Sequence, residues 1–529
     1  MPSDADLLLV GGRIHTLHRG VPDSDDLAVR DGRVVAYGAG ARSLRGPRTA
    51  VVDLRGGLAV PGFVDAHIHL LWFGLGLEQV VLTEVDSYAE VERRISRRLE
   101  EAAPGTWVTG SGWNQDLWAG VMPHRRLLDR LSPSQPMLFS RKDGHSIWVN
   151  SAALAVAGIT AATADPPGGR IERDADGTPS GILAEEAMGL VRRHVPVPSD
   201  TDRDRALRNA MAVANRAGIT AVHDMEAADA RAAFARALER GGLSLRVQMM
   251  VDLASWRTGW PREQRSNAGH PLLQTGGLKI FADGALGSRT AAMLEPFAGT
   301  ANLGVAITSE AELQELIAGA ADQDLACAIH AIGDAANRQV LDAFAATREH
   351  WVAKGLRQRI EHVQLLHSDD LPRLAQLGVI ASMQPIHATA DMAIADQFWG
   401  ERSRLGYAWR SVLASGAALA FGSDCPVETL DVLRGLYAAV TRRREDGEPP
   451  GGWYPEQCLT LEEALHAYTL GAAYAAGREH ELGSLAPGKL ADITLLDRDI
   501  LSLPPEALLQ TSVRATIVGG AIVFESEGH

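Results

Sequence analysis

Val60-Pro61-Gly62-Phe63-Val64-Asp65-Ala66-His67-Ile68-His69 is an apolar, β-branched run that ends in two histidines one residue apart. In a strand, residues i and i+2 point to the same face. His67 and His69 therefore aim into one space, and two imidazoles converging at a strand end suit a transition metal. A pair of surface histidines reads the same way in isolation, so the remainder of the chain has to decide.

Downstream, short apolar stretches alternate with Ala/Leu/Arg/Glu-rich segments of helical character. Strands are predicted at 62–69, 218–224, 244–251, 277–283, 326–330, 359–363, 379–384 and 418–424, and helices at 311–323, 335–347 and 371–377 among others. Eight βα units predict an α/β fold, a distorted TIM (β/α)8 barrel, with its chemistry at the C-terminal strand ends. The barrel is expected over 61–479, with an insertion of about 71–215 between the first two strands. Strand-like pieces at 106–110 and 137–140 and the aromatics Trp107, Trp113, Trp118 and Trp148 predict that this insertion covers the substrate over the barrel mouth.

Both chain ends read as short strands: 7–10, 13–17, 27–30 and 33–38 at one end, and 491–496, 515–518 and 521–524 at the other. Asp31-Gly32 is a hairpin signal. Neither end has enough strands to bury a core alone. A small β-sandwich-like domain built from 1–60 and 480–529 is the economical expectation.

The 529 residues are 46% hydrophobic and 22% charged, ordinary values for a packed globular chain. The net charge of −15 argues against a nucleic-acid partner and fits an anionic membrane surface poorly. Cys327, Cys425 and Cys458 make neither a disulfide framework nor a Cys-x-x-Cys zinc ribbon. The acidic N-terminus has no signal-peptide order, and no apolar run reaches the roughly 18 residues of a membrane span, so a cytoplasmic location is expected.

Polar residues stand at or near the ends of several predicted strands, where Val, Ile and Leu are the norm: His67 and His69, Lys279, His330, His362 and Asp424. One such residue would suit a satisfied core position. Six in an eight-strand pattern point to a metal site.

These residues sit in motifs that resemble the amidohydrolase superfamily of metal-dependent hydrolases, and within it the YtcJ-like branch that includes N-substituted formamide deformylase. The motifs are Pro61–His69 as quoted, Lys279-Ile280-Phe281-Ala282-Asp283-Gly284, Ile329-His330-Ala331-Ile332-Gly333-Asp334, Arg359-Ile360-Glu361-His362, Ser382-Met383-Gln384-Pro385, Phe421-Gly422-Ser423-Asp424 and the tail from Leu482 to Asp492. The resemblance spans essentially the whole chain. It implies that His67, His69 and Asp424 hold the more buried metal and that His330 and His362 hold the second. It further implies that Lys279 bridges the two as a carbamate formed with carbon dioxide. A lysine whose pKa falls on burial suits that chemistry. In the alternative, Lys279 pairs with Asp283 or Glu361 and the site holds one metal. Zinc suits such ligands; manganese, iron, nickel and cobalt remain open.

The reaction expected is attack of metal-activated water on an amide, formamide or related carbonyl, with Asp424 as the proton shuttle. The substrate is expected to be a small N-substituted amide or formamide with an apolar part, an ester, carbamate or cyclic amide remaining open. Trp113, His145 in the 141–150 stretch, Arg289 and His387 are candidate substrate contacts, and Asp391 follows His387 after the seventh strand. For Arg289 and Asp391 a surface salt bridge or a loop contact is at least an equal alternative. Deaminases of the superfamily typically carry a glutamate three residues after the fifth-strand histidine; here that position is Gly333, followed by Asp334. A silent, ligand-sensing relative is the rival outside catalysis, and it would be expected to have lost ligands. No nucleophile elbow or phosphate loop is present. The sequence does not set the oligomeric state; a homodimer is the commonest arrangement.

Overall fold

The computed structural model describes residues 4–118, 120–142 and 145–526. Eight parallel strands form the barrel: β1 (Phe63–Ile68), β2 (Ile219–Asp224), β3 (Arg246–Asp252), β4 (Leu273–Phe281), β5 (Cys327–Ala331), β6 (Arg359–His362), β7 (Ile380–Met383) and β8 (Leu419–Phe421). Each pairs with its neighbours in that order. The strands are buried almost throughout, which is why they read as apolar runs. Helices follow the strands: α1 (Ala228–Glu239) after β2, α2 (Glu310–Asp322) before β5, α3 (Asp334–Ala346) after β5, α4 (Leu371–Leu377) after β6, α5 (Pro385–Trp399) after β7 and α6 (Val432–Thr441) after β8. Local signals set their ends. Ser309 caps α2 by accepting from Glu312 N, and Gly378 closes α4 at a φ of 70°.

The barrel closes between the end of β1 and the segment after β8. Asp424 N donates to His67 O at 2.7 Å, and His69 N donates to Cys425 O at 2.9 Å. Buried Asp65 reinforces the seam, its Oδ1 accepting from His67 N at 3.1 Å and Ser423 N at 2.9 Å. Gly422 is required there, because a Cβ would collide with the His67 amide nitrogen.

Two sheets draw on both chain ends. One has the order Arg33–Tyr37, Leu27–Arg30, Leu7–Val10, Ala50–Asp53; the other runs Arg13–Ile14, Leu58–Pro61, Ile493–Leu496, Val513–Val518, Ala521–Glu525. Leu7, Leu27 and Val29 of the first share a core with Ile14, Ile493 and Ile517 of the second. Asp31 and Gly32 both take positive φ, 50° and 71°, as the hairpin signal requires. The strands at 50–53 and 58–61 add to the predicted set; the glycines at 56 and 57 obscure the second.

Residues 74–206 form a second compact unit. Its six-stranded sheet has the order Gly169–Arg173, Pro179–Glu185, Ser146–Val149, Met137–Arg141, Val108–Trp113, Val80–Val81. Among the described residues, no helix is long and apolar enough to cross a membrane.

One buried ion pair ties the C-terminal strands to the barrel. Arg246 of β3 grips Asp492 with two bonds of 2.7 and 2.9 Å, and Asp492 Oδ1 also accepts from Gly519 N at 2.7 Å. Removing one partner strands a buried charge, which typically costs about 3–5 kcal/mol. Asp492→Ala is therefore expected to lower unfolding stability by about that amount in urea titrations; a loss near zero would show the pair to be dispensable.

Candidate metal centre

The C-terminal ends of β1, β5 and β6 and the turn after β8 bring four histidines and an aspartate together. His67 and His69 converge on one carboxylate oxygen: their Nε2 atoms lie 3.5 and 3.4 Å from Asp424 Oδ1. The alternation expected from the sequence holds even though β1 ends at Ile68 and His69 lies just beyond it. Ring centroids of His67 and His362 are 4.7 Å apart, and those of His362 and His330 4.6 Å. Ligand-capable atoms of His67, His362 and Asp424 all lie within 4.8 Å of one another. His362 and Asp424 adopt positive φ, 76° and 59°, which turns both off the regular strand path.

A histidine binds metal as a neutral ring with one nitrogen free. Burial, helped by the Lys279 charge, pushes His67 down to about 4 and His330 down to about 3. Burial and the His330 charge hold His362 well below its ordinary value. Each ring also spends one nitrogen on an oriented partner. His67 Nδ1 meets Glu361 Oε2 at 2.6 Å, His362 Nδ1 meets Gln384 Oε1 at 2.9 Å, and His330 Nε2 meets Gly284 O at 2.9 Å. With protons on those nitrogens, as their acceptors require, the opposite nitrogens of all three rings carry free lone pairs.

Asp424 is the complementary anion. Burial alone would raise its pKa, but the His387 hydrogen bond and the His67 charge outweigh it and hold the carboxyl far below its usual range. His387, at the start of α5, lies 3.1 Å from Asp424 Oδ2 through Nε2. Burial lowers its pKa, yet the hydrogen bond and charge of Asp424 leave it raised.

Lys279 enters from β4. Its Nζ is buried and has no hydrogen-bond partner among the described residues. Burial lowers its pKa to about 8, against the opposing pull of Glu361 and Asp424. Neither partner of the single-metal alternative is committed to it. Asp283 accepts from the backbone N–H groups of Ala292, Ile332 and Gly333 at 2.8–3.0 Å. Glu361 is taken by His67 and Arg359. Three neutral imidazoles, an ionised carboxylate and an amine without a hydrogen-bond partner among the described residues fit a divalent transition metal.

Sequence reasoning missed the residues that position these ligands. Arg359 Nε lies 2.5 Å from Glu361 Oε1, and the same guanidinium donates to Ala66 O, Ser382 Oγ and Glu361 Oε2 at 2.6, 2.7 and 3.0 Å and meets His223 Nδ1 at 2.9 Å. The signal available was a charged pair two residues apart on a strand that otherwise should be apolar.

Of the remaining expected contacts, Arg289 is exposed after β4, its guanidinium 5.4 Å over the Phe398 ring. Asp391 accepts from the Tyr407 hydroxyl at 2.6 Å, a contact to the loop before the next helix and not a salt bridge. In the 74–206 unit, Trp113 is wholly buried in the core and donates Nε1–H to Phe139 O at 2.9 Å. His145 is exposed there, 3.2 Å from Glu185. Asp143 and Gly144 of its stretch lie outside the described residues.

The sequence profile of the Amidohydrolase family matches residues 50–524. The chain is 35% identical to Protein LONG AFTER FAR-RED 3 of Arabidopsis thaliana, over 98% of this chain and 92% of that one. It is 32% identical to the YtcJ amidohydrolase of Bacillus subtilis (strain 168), over 97% and 98%, and 30% identical to N-substituted formamide deformylase of Arthrobacter pascens, over 99% of each. Among solved structures it is similar to an uncharacterized metal-dependent hydrolase from Pyrococcus furiosus, with 28% identity, a TM-score of 0.76 and coverage of 94% of this chain and 100% of that one.

If Glu361 fixes the proton and rotation of His67, Glu361→Gln should lower stability and, in its folded fraction, weaken metal binding about 10- to 100-fold in chelator competition. Unchanged affinity in a folded variant would remove that role.

Proposed function

The chain belongs to the amidohydrolase family of metal-dependent hydrolases, and from that premise we propose that it cleaves a C–N bond, in an N-substituted formamide or a related small amide. The observation that carries this reading is the buried cluster itself: neutral histidines with free nitrogens beside an ionised aspartate and a lysine whose amine has no hydrogen-bond partner among the described residues. The similarity to N-substituted formamide deformylase directs the choice of bond.

In this reading His67, His69 and Asp424 hold one divalent metal and His330 and His362 a second. Zinc is the first candidate by donor type. Bound there, the metal lowers the pKa of water toward neutrality and stabilises negative charge on the substrate carbonyl oxygen. Lys279 links the two sites. With a pKa of about 8, a usable share of its amine is neutral near pH 7.5. The neutral amine adds carbon dioxide and releases one proton, leaving a carboxylate in place of a cation.

Asp424 performs the proton transfer. Its Oδ1 faces His67 and His69, while Oδ2 is held by His387. Its two oxygens allow one to face the metal-side histidines while the other remains in contact with His387, a geometry that suits a relay from attacking water to leaving nitrogen. His387 keeps Oδ2 in register and compensates its charge. Deamination is disfavoured on packing grounds. A side chain at 333 would collide with the Ala292 carbonyl, and Asp334 is occupied in accepting from Leu294 N at 2.8 Å.

The test is turnover of a panel of N-substituted formamides and acetamides by metal-loaded protein. We expect release of formate and amine. Asp424→Asn should reduce turnover at least about a thousandfold, as loss of a general acid–base group does at its larger effects. Near-normal turnover in that variant would contradict the assigned relay, and ammonia release from heterocycles without any amide cleavage would favour deamination.

A further inference from the structure

Three of the four strand-end histidines have a ring nitrogen anchored away from the centre of the cluster: His67 on Glu361, His330 on Gly284 O and His362 on Gln384. His69 differs. Among the described residues, the polar contact of its ring is Asp424 Oδ1, at 3.4 Å. The direction of this ring therefore depends on its backbone, and the backbone is gripped on both sides of the residue.

The grip comes from the segment 224–226 at the end of β2. Met225 N donates to Ile68 O at 2.9 Å, immediately before His69. Immediately after it, Leu70 N donates to Asp224 Oδ2 at 3.0 Å, and Leu71 N and Trp72 N donate to Glu226 Oε2 and Oε1 at 2.7 and 2.9 Å. Asp224 Oδ1 accepts from Glu226 N at 3.0 Å, which sets the two carboxyl groups side by side. His69 N donates to Cys425 O at 2.9 Å.

The helix Leu70–Leu77 starts directly after His69, and Phe73 N donates to His69 O at 3.0 Å, so His69 stands at the N-cap position. A residue there normally caps the helix with its own side chain. The His69 ring instead faces Asp424, which leaves the first N–H groups to partners from elsewhere. Two carboxyl groups from the end of β2 take three of them. They also offset the positive end of a helix beside a residue that has to meet a cation. Capping alone is served by one local Ser or Asp. Three bonds from β2 do more, because they fix the start of the helix against the barrel wall.

We propose that Asp224 and Glu226 are positioning residues for His69: through the backbone of residues 70–72 they hold His69 in the orientation from which its ring meets a metal beside His67 and Asp424. This rests on the metal-centre reading and is independent of which bond is cut.

The experiment measures zinc affinity of the full chain by chelator competition. Glu226 is partly exposed, and Glu226→Ala removes both of its bonds to the helix. Asp224→Asn keeps the volume of a fully buried side chain and loses one acceptor. Each should weaken zinc binding about 10- to 100-fold. Thr460→Ala removes the cap of another helix, Leu461–His466, and should leave zinc affinity unchanged. A pair that acts through His69 has nothing to act on once that ring is gone, so adding Glu226→Ala to His69→Ala should weaken zinc no further. Losses that multiply in the double variant, an equal loss in Thr460→Ala, or unchanged affinity in folded Glu226→Ala and Asp224→Asn would each overturn the proposal. The expected affinities without turnover of any amide would support it and count against C–N hydrolysis. Absence of zinc binding by the wild type would overturn it together with the metal centre.

Discussion

Glu361 lies inside the barrel with no exposed surface, and an ionised carboxylate survives there only if positive charge and donors surround it. Arg359, two residues earlier on β6 and on the same face, supplies the charge. Burial would raise the Glu361 pKa, but the Arg359 charge and the His67 hydrogen bond hold it well below the ordinary range. The guanidinium in turn reaches Ala66 on β1 and Ser382 on β7 and meets His223 on β2. Four strands are thus joined through one side chain, and the pair ends on a ring nitrogen of His67. Loss of either partner would leave an uncompensated charge in the barrel and release that ring.

The same logic recurs outward from this pair. Asp65 joins β1 to the turn after β8, and Asp283 joins the loop after β4 to the loop after β5. Burial pushes each of these carboxyls up to about 7, against backbone donors that pull the other way. Neither is free to be a ligand. They fix the loops on which Asp424 and Gly333 stand. Close approach does the rest, since Gly422 and Gly333 have no room for a side chain.

Much of this was legible in the sequence. All eight barrel strands appear as predicted, within a few residues at their ends, because parallel strands buried on both faces read as uninterrupted apolar runs. The polar exceptions to that rule marked His67, His330 and His362 directly. Asp424 was marked too, although it lies beyond β8 in a positive-φ turn and not at a strand end. β4 begins earlier than expected, because Gln274, Thr275 and Gly276 break its apolar run. What stayed hidden depends on distance rather than type. Glu361, Gln384 and Asp65 resemble ordinary polar residues until the fold sets them against a ligand.

If Lys279 bridges two metals held by His67, His69, His330, His362 and Asp424, the metal content of the protein reports it. Plasma mass spectrometry of protein purified with bicarbonate should give about two transition-metal equivalents per chain, falling to about one in Lys279→Ala. One equivalent in both proteins would contradict the bridge, and no retained metal after reconstitution of the wild type would contradict the whole assignment of the cluster.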